Sequence, residues 1–269
     1  MLEVKDLSIE FLDRSSPERV LNHLNLHMEP GEIVGLVGES GSGKTMTAQA
    51  VAGLLPGHAV IKSGEIRLNG QDLLHCTKNE LRSLQGNEIA MIFQEPMTSL
   101  NPVMKIGRQV EESLRLHTDL SGPERKERVL KAMLDAELPN PEDLYYKYPH
   151  QLSGGMRQRV MIASAIICHP KLLIADEPTT ALDVTIQAQI VRLLQKINRK
   201  YETAILFISH DLGLVRKLCS RVIVLCDGDM VEEGTIEEIF RSPKQDYTRQ
   251  LIASVPARTG TPLRRQLHE

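Results

Sequence analysis

Short apolar runs rich in β-branched residues recur along the chain at Ile33-Val34-Gly35-Leu36-Val37, Ile89-Ala90-Met91-Ile92-Phe93, Leu172-Leu173-Ile174-Ala175 and Ala204 to Ile208. Their length and composition predict strands buried on both faces. Between them, apolar residues return at helical spacing from Met46 to Leu54, from Met156 through Cys168 and from Ile186 to Lys200. Such alternation implies a largely parallel sheet with helices on both faces. Leu2 to Phe11 alternates loosely as an edge strand does, a polar turn covers Asp13 to Glu18, and a second strand runs through Leu21 to Met28. Ser63 to Gly70 reads as strand and turn, and Val222 to Val231 as a hairpin turned at Asp227-Gly228.

The stretch from Glu95 to about Leu152 breaks this rhythm. Strand signals vanish and prolines fall at positions 139, 141 and 149. Ser121-x-x-Glu124 caps a helix with Val129, Leu130, Met133 and Leu134 on one face, just as Thr77-x-x-Glu80 opens a shorter helix earlier. A helical insertion is expected here.

One turn gives the strands a chemical purpose. Gly38-Glu39-Ser40-Gly41-Ser42-Gly43-Lys44-Thr45 fits G-x-x-x-x-G-K-[ST], with a strand before it and a helix after it. Glycines permit positive φ, so successive N–H groups can face one concavity and hold phosphate oxygens at the helix's positive end. In such a P-loop Lys44 would reach the β- and γ-phosphates of a nucleotide and Thr45 would ligate Mg²⁺. The run Leu172 to Ala175 ends in Asp176-Glu177, two carboxylates at a strand's C-terminal edge, where open α/β sheets bind ligands. Asp176 suits the metal through water, and Glu177 suits polarisation of an attacking water. Leu152-Ser153-Gly154-Gly155-Met156 sets a serine cap and two glycines at another helix N-terminus, a second anion-binding end.

Composition narrows the partners. The 269 residues are 41% hydrophobic, 25% charged and carry a net charge of −3, so nothing marks nucleic acid as a ligand. Cys76, Cys168, Cys219 and Cys226 form no C-x-x-C pair and read as reduced core or boundary thiols. The chain opens without the charged-then-apolar order of a signal peptide, and no apolar run approaches the ~20 residues needed to span a bilayer, so any membrane role is expected to be peripheral. With aromatic residues at only 3%, Phe11 is a candidate to stack on adenine.

The P-loop, Gln94, Leu152-Ser153-Gly154-Gly155, Asp176-Glu177, Thr180-Ala181-Leu182-Asp183 and Ser209-His210-Asp211 occur in the order of an ABC-type ATPase, which the chain resembles over nearly its whole length. That resemblance implies a P-loop NTPase (RecA-like) α/β core with an N-terminal antiparallel β portion and an inserted helical subdomain. Residues 1–94 then hold the β portion and first half of the core, 95–160 the helical subdomain, 161–240 the second half of the core and 241–269 a C-terminal extension with a loose tail from Pro256. It also implies Gln94 near metal and attacking water, His210 near the γ-phosphate, and two subunits facing head to tail. Each ATP would lie between one chain's P-loop and the other's Ser153, Gly154 and Gly155, with Asp183 a further nucleotide-binding residue.

Phe93-Gln94-Glu95-Pro96-Met97-Thr98-Ser99-Leu100-Asn101-Pro102, Tyr148-Pro149-His150-Gln151-Leu152 and Glu177-Pro178-Thr179-Thr180, with Tyr247-Thr248-Arg249-Gln250-Leu251 near the end, resemble the D-type chain of the dipeptide, oligopeptide and nickel importers. The implied partners are an F-type ATPase subunit of the same importer, two membrane permease subunits at the cytoplasmic face and, indirectly, an extracytoplasmic substrate-binding protein. Many peptide-importing D-type chains continue into a cysteine-bearing tail that can hold an iron–sulfur cluster; its absence here inclines the expectation toward nickel or metallophore importers. A nucleotide-driven clamp on nucleic acid or ribosomes is the alternative within ABC ATPases, and a single cassette with an acidic balance disfavours it.

Overall fold

The computed structural model describes residues 1–12, 18–94, 99–180 and 182–254. The polar turn, Glu95 to Thr98, Ala181 and the tail beyond Ser254 lie wholly or largely outside the described residues.

Two sheets carry the fold. The smaller is antiparallel with strand order β2-β1-β4-β5, built from β1 (Leu2–Phe11), β2 (Glu18–Met28), β4 (Ala59–Leu68) and β5 (Gln71–Asp72). The larger has order β10-β9-β3-β8-β7-β6, from β3 (Ile33–Val37), β6 (Ile89–Ile92), β7 (Leu172–Asp176), β8 (Ala204–Ile208), β9 (Arg221–Cys226) and β10 (Asp229–Thr235). Five of these strands are mutually parallel, and β10 returns antiparallel on β9. At the hairpin turn Asp227 and Gly228 have φ of 49° and 85°, the signature of the Asp-Gly type I′ turn.

Alternation within the buried strands divides the core in two. Val34, Leu36, Ile174, Leu206 and Ile223 face α1 (Lys44–Ala52) and the inner face of the antiparallel sheet. Their neighbours Ile33, Val37, Leu173, Phe207 and Val222 face the helices of the other layer. The parallel sheet is therefore covered by helices on one side, but on the other by a second sheet with α1 and Leu84, the last residue of the short helix Lys78–Leu84. A strand buried on both faces has no polar side, which explains its uninterrupted apolar run.

The helical portion contains α3 (Ile106–His117), α4 (Gly122–Asp135), α5 (Pro141–Tyr145) and α6 (Gly154–Ile166), following α2 (Lys78–Leu84). Both capping boxes form, at Thr77 and at Ser121. The apolar face of α4 differs from expectation: Val129, Ala132 and Met133 are buried, Leu130 is half-buried and Leu134 is 60% exposed. The buried stripe is bounded by Ala132 and Met133, about 100° apart, and Leu134 lies a further 100° round the helix, outside it. Residue 160, the expected end of the helical portion, falls inside α6, which runs unbroken from Gly154 to Ile166. Beyond it lie α7 (Val184–Tyr201), α8 (Leu212–Leu218), α9 (Ile236–Arg241) and α10 (Asp246–Ala253).

Gly64 shows how tightly the small sheet is drawn. A Cβ there would stand 2.6 Å from Leu7 Cα and 2.7 Å from the carbonyls of Lys5 and Asp6, where the β1–β4 register shifts. Gly64→Ala is expected to lose about 1–3 kcal/mol of stability, because backbone atoms must move apart to admit the methyl. Thermal unfolding of the variant checks this, and an unchanged midpoint contradicts it.

Candidate nucleotide site

Parallel strands bring their C-terminal ends to one edge, and the order β3-β8-β7-β6 places four functional segments side by side. The P-loop leaves β3, Ser209-His210-Asp211 leaves β8, Asp176-Glu177 ends β7, and Gln94 follows β6. Neighbouring strands lie about 4.8 Å apart, so residues far apart in sequence meet at this edge.

Helix α1 begins at Lys44, two residues before Met46, so Lys44 and Thr45 occupy its first turn. Gly43 is the N-cap with φ 98°, and a Cβ on it would stand 2.5 Å from Leu21 Cδ2 and 2.9 Å from the Val20 carbonyl. Conformation and space both demand glycine there. Gly38, Ser42, Gly43 and Lys44 are buried, while Glu39, Ser40, Gly41 and Thr45 are exposed at the mouth. Lys44 Nζ donates to the Gly38 carbonyl (3.0 Å), the Glu39 carbonyl (2.6 Å) and Ser42 Oγ (3.3 Å). Burial lowers the Lys44 pKa, against the opposing pull of Glu177, Asp176 and Glu39.

Thr45 Oγ1 donates to Asp176 Oδ1 at 3.3 Å. Burial pushes the Asp176 carboxyl up to about 6, an effect that the Thr45 hydrogen bond and Lys44 oppose and that Glu177 reinforces. A buried carboxylate beside a hydroxyl is an all-oxygen donor set that suits Mg²⁺, and a cation there offsets the cost of ionising Asp176.

Glu177 sits at φ 43° just past the strand end, with its N–H donating to the Ile208 carbonyl at 3.0 Å. A non-glycine residue in this region is uncommon and is held here by β8. Its Oε2 accepts from Thr180 Oγ1 (2.8 Å) and Gln94 Nε2 (3.3 Å) and lies 3.2 Å from His210 Nδ1. Oε1 takes no hydrogen bond among the described residues. One oxygen is thus fixed by three side chains while the other remains available to a reacting water. Thr180 was not singled out as a site residue by the sequence, although its place three residues after a strand-end acid was a usable signal.

The remaining expected residues lie elsewhere. Ser153 is the N-cap of α6, its hydroxyl accepting from Met156 N at 3.3 Å. A Cβ on Gly155 would meet Ile186 Cγ2 at 3.1 Å, and one on Gly154 would meet Leu182 at 3.9 Å. Asp183 caps α7, with Oδ1 accepting from Thr185 N and Ile186 N, each at 3.0 Å. Ser153, Gly154, Gly155 and Asp183 therefore gather around the start of α7, and no hydrogen bond among the described residues joins them to Lys44, Asp176 or Glu177. Phe11 pairs with Glu18 across β1 and β2, and its ring packs on His58 with centroids 4.8 Å apart. Since Val20 and Leu21 of β2 touch Gly43, Phe11 lies at the P-loop end of the small sheet.

Residues 21–180 match the ABC transporter family. The chain is 48% identical over 95% of its length to the oligopeptide transport ATP-binding protein OppD of Bacillus subtilis, covering 72% of that protein. It is 45% identical over 95% of its length to the dipeptide transport ATP-binding protein DppD of Escherichia coli, covering 78% of it. Against the peptidoglycan transport ATP-binding protein YejF of Agrobacterium fabrum, identity is 49% over 95% of the chain, which spans only 47% of that relative. Among solved structures, the dimeric post-hydrolysis ATP-binding cassette MJ0796 bound to ADP and Pi superposes with TM-score 0.79 at 29% identity, covering 88% of this chain and 99% of that one. With the P-loop, the paired carboxylates and the capped Ser-Gly-Gly helix in their places, the chain belongs to the ABC transporter family.

Proposed function

We propose that this chain is the ATP-hydrolysing subunit of a bacterial importer, and that its cargo is a peptide. The observation that carries the reading is the convergence of Lys44, Thr45, Asp176, Glu177, Gln94 and His210 at one sheet edge. The relatives' names supply the cargo class: OppD and DppD are named for oligopeptide and dipeptide transport, not nickel. They likewise give no support to a clamp on nucleic acid or ribosomes.

The P-loop amides and Lys44 bind the phosphates of ATP and orient the γ-phosphoryl group. Thr45 and Asp176, with Gln94 nearby, would hold Mg²⁺, which neutralises charge on the phosphate oxygens when bound. Glu177 accepts the proton of the attacking water, and its orientation is set by Thr180, Gln94 and His210 through Oε2. Phe11, beside His58, is placed to border the adenine.

Ser153, Gly154, Gly155 and Asp183 act on the ATP of a second ATPase subunit, the F-type companion of this D-type chain. No hydrogen bond among the described residues joins them to Lys44, Asp176 or Glu177, which supports this, and the compared cassette is itself dimeric. No described helix is long and apolar enough to cross a membrane. Attachment is to two permease subunits at the cytoplasmic face, which in turn receive cargo from an extracytoplasmic substrate-binding protein. A cavity of about 340 Å³ between the sheet and the helical portion, lined by Leu54, Ile89, Met91, Phe93, Leu100 and Met161, offers a permease segment an apolar seat. Phe93 is 43% exposed at its rim.

The test is nucleotide binding and peptide uptake. Wild-type chain is expected to bind a fluorescent ATP analogue, and Lys44→Ala to weaken that binding about tenfold or more through loss of a charge-assisted contact. Cells lacking the chain should lose uptake of labelled peptide. Equal binding by the variant removes Lys44 from the site, and undiminished peptide uptake removes the cargo assignment.

A further inference from the structure

The Gly38–Glu39 peptide group opens the P-loop and is held at both ends. Its carbonyl accepts from Lys44 Nζ at 3.0 Å, and its N–H donates to the Tyr247 hydroxyl at 3.1 Å. Tyr247 comes from α10, 208 residues along the chain. The Cys226 thiol at the end of β9 lies beside the phenol.

The segment that carries Tyr247 is anchored independently. Glu232, 9% exposed, accepts from the backbone N–H groups of Lys244 (2.8 Å) and Gln245 (3.1 Å), immediately before α10. Arg249 closes the same turn by donating to the carbonyls of Pro243 (3.1 Å) and Lys244 (2.8 Å). Thr248 is buried, and Leu251 and Ile252 pack on the main core. The phenol is thus delivered to the loop by a fixed support.

We propose that Tyr247 is a positioning residue for ATP binding: by fixing the Gly38–Glu39 peptide it sets the carbonyl on which the Lys44 ammonium is seated and so holds the phosphate loop in its binding shape. This rests on the reading of the P-loop as an ATP site. The C-terminal helix then contributes to the nucleotide site of its own chain, although it lies outside the matched family segment of residues 21–180. Rotation of this peptide would carry the Gly38 carbonyl away from Lys44 and loosen the loop before phosphate arrives.

Tyr247→Phe keeps the ring and deletes the acceptor. On the full chain it is expected to weaken binding of a fluorescent ATP analogue about 3- to 10-fold, the range for one neutral hydrogen bond, and in the assembled transporter to raise KM for ATP while kcat changes little. Amide exchange at Glu39 should quicken in the variant without any change in global unfolding. In a Lys44→Ala background the substitution should cost much less, because the two residues act through one peptide group. Wild-type affinity with unchanged Glu39 exchange in Tyr247→Phe overturns the inference and leaves the ATP reading standing. Failure of the wild-type chain to bind the analogue overturns both. A lower melting temperature with unchanged KM assigns Tyr247 a purely structural role and also overturns the inference.

Discussion

Glu177→Gln is expected to retain ATP binding while turnover falls by about 10²- to 10⁴-fold, the span of a positioned acid–base group. Glutamine preserves the shape and still offers an amide oxygen to Thr180 and Gln94, so the contacts at Oε2 survive in outline. What disappears is the proton acceptor at the other oxygen. The separation of binding from turnover is the informative part, because a residue needed only for folding would lose both. Purified transporter assayed for nucleotide affinity and phosphate release decides it. Near-normal hydrolysis removes Glu177 from the role, and loss of binding shows that the variant disturbs the loop instead.

Ser153→Arg is expected to abolish most of the ATPase activity that appears when the companion subunit and permeases are added, without altering nucleotide binding by this chain's own P-loop. Ser153 is exposed at the head of α6, with Gly154 and Gly155 against Leu182 and Ile186. In the proposed shared site an arginine there would block the companion's nucleotide and remove the charge stabilisation that the Ser-Gly-Gly amides would give its transferred phosphoryl group. Loss of the cap itself costs only about 1 kcal/mol, so the chain stays folded. The measurement compares turnover of the isolated chain with that of the assembled complex, for wild type and variant. An isolated chain as fast as the complex, with no effect of the arginine, is incompatible with a shared site.

These expectations draw on two kinds of information. Local chemistry was readable because it depends on neighbours in sequence: glycines where φ must be positive, Thr77 and Ser121 three residues before a glutamate, Asp227-Gly228 at a hairpin, apolar runs where a strand is buried on both faces. The order of the P-loop, Ser153-Gly154-Gly155, Asp176-Glu177 and His210 was likewise linear information and identified the family before any contact was known. The face of α4 is not fixed locally at Leu134, because several phases fit a run of adjacent apolar residues and only the packed neighbours choose one.

Tertiary structure decided which of these pieces share a site. Strand order put β8 between β3 and β7, so His210, Glu177, Gln94 and Lys44 came to one edge, while Ser153 and Asp183 cap α6 and α7 with no hydrogen bond to Lys44, Asp176 or Glu177 among the described residues. Composition cannot encode that, since a parallel crossover joins strands that are distant in sequence. Nor could the covering of the sheet by a second sheet on one face be read from a doubly buried strand, whose apolar run is the same against either layer. The contact between Tyr247 and Glu39 has no local signature at all: a tyrosine near a chain end becomes part of a phosphate loop only because Glu232 and the core fix where its helix docks. The sequence determined the family and the chemistry of each segment, since those reside in short-range backbone and side-chain requirements. The folded chain alone determined the membership of the site, because long-range packing sets distances that no stretch of sequence contains.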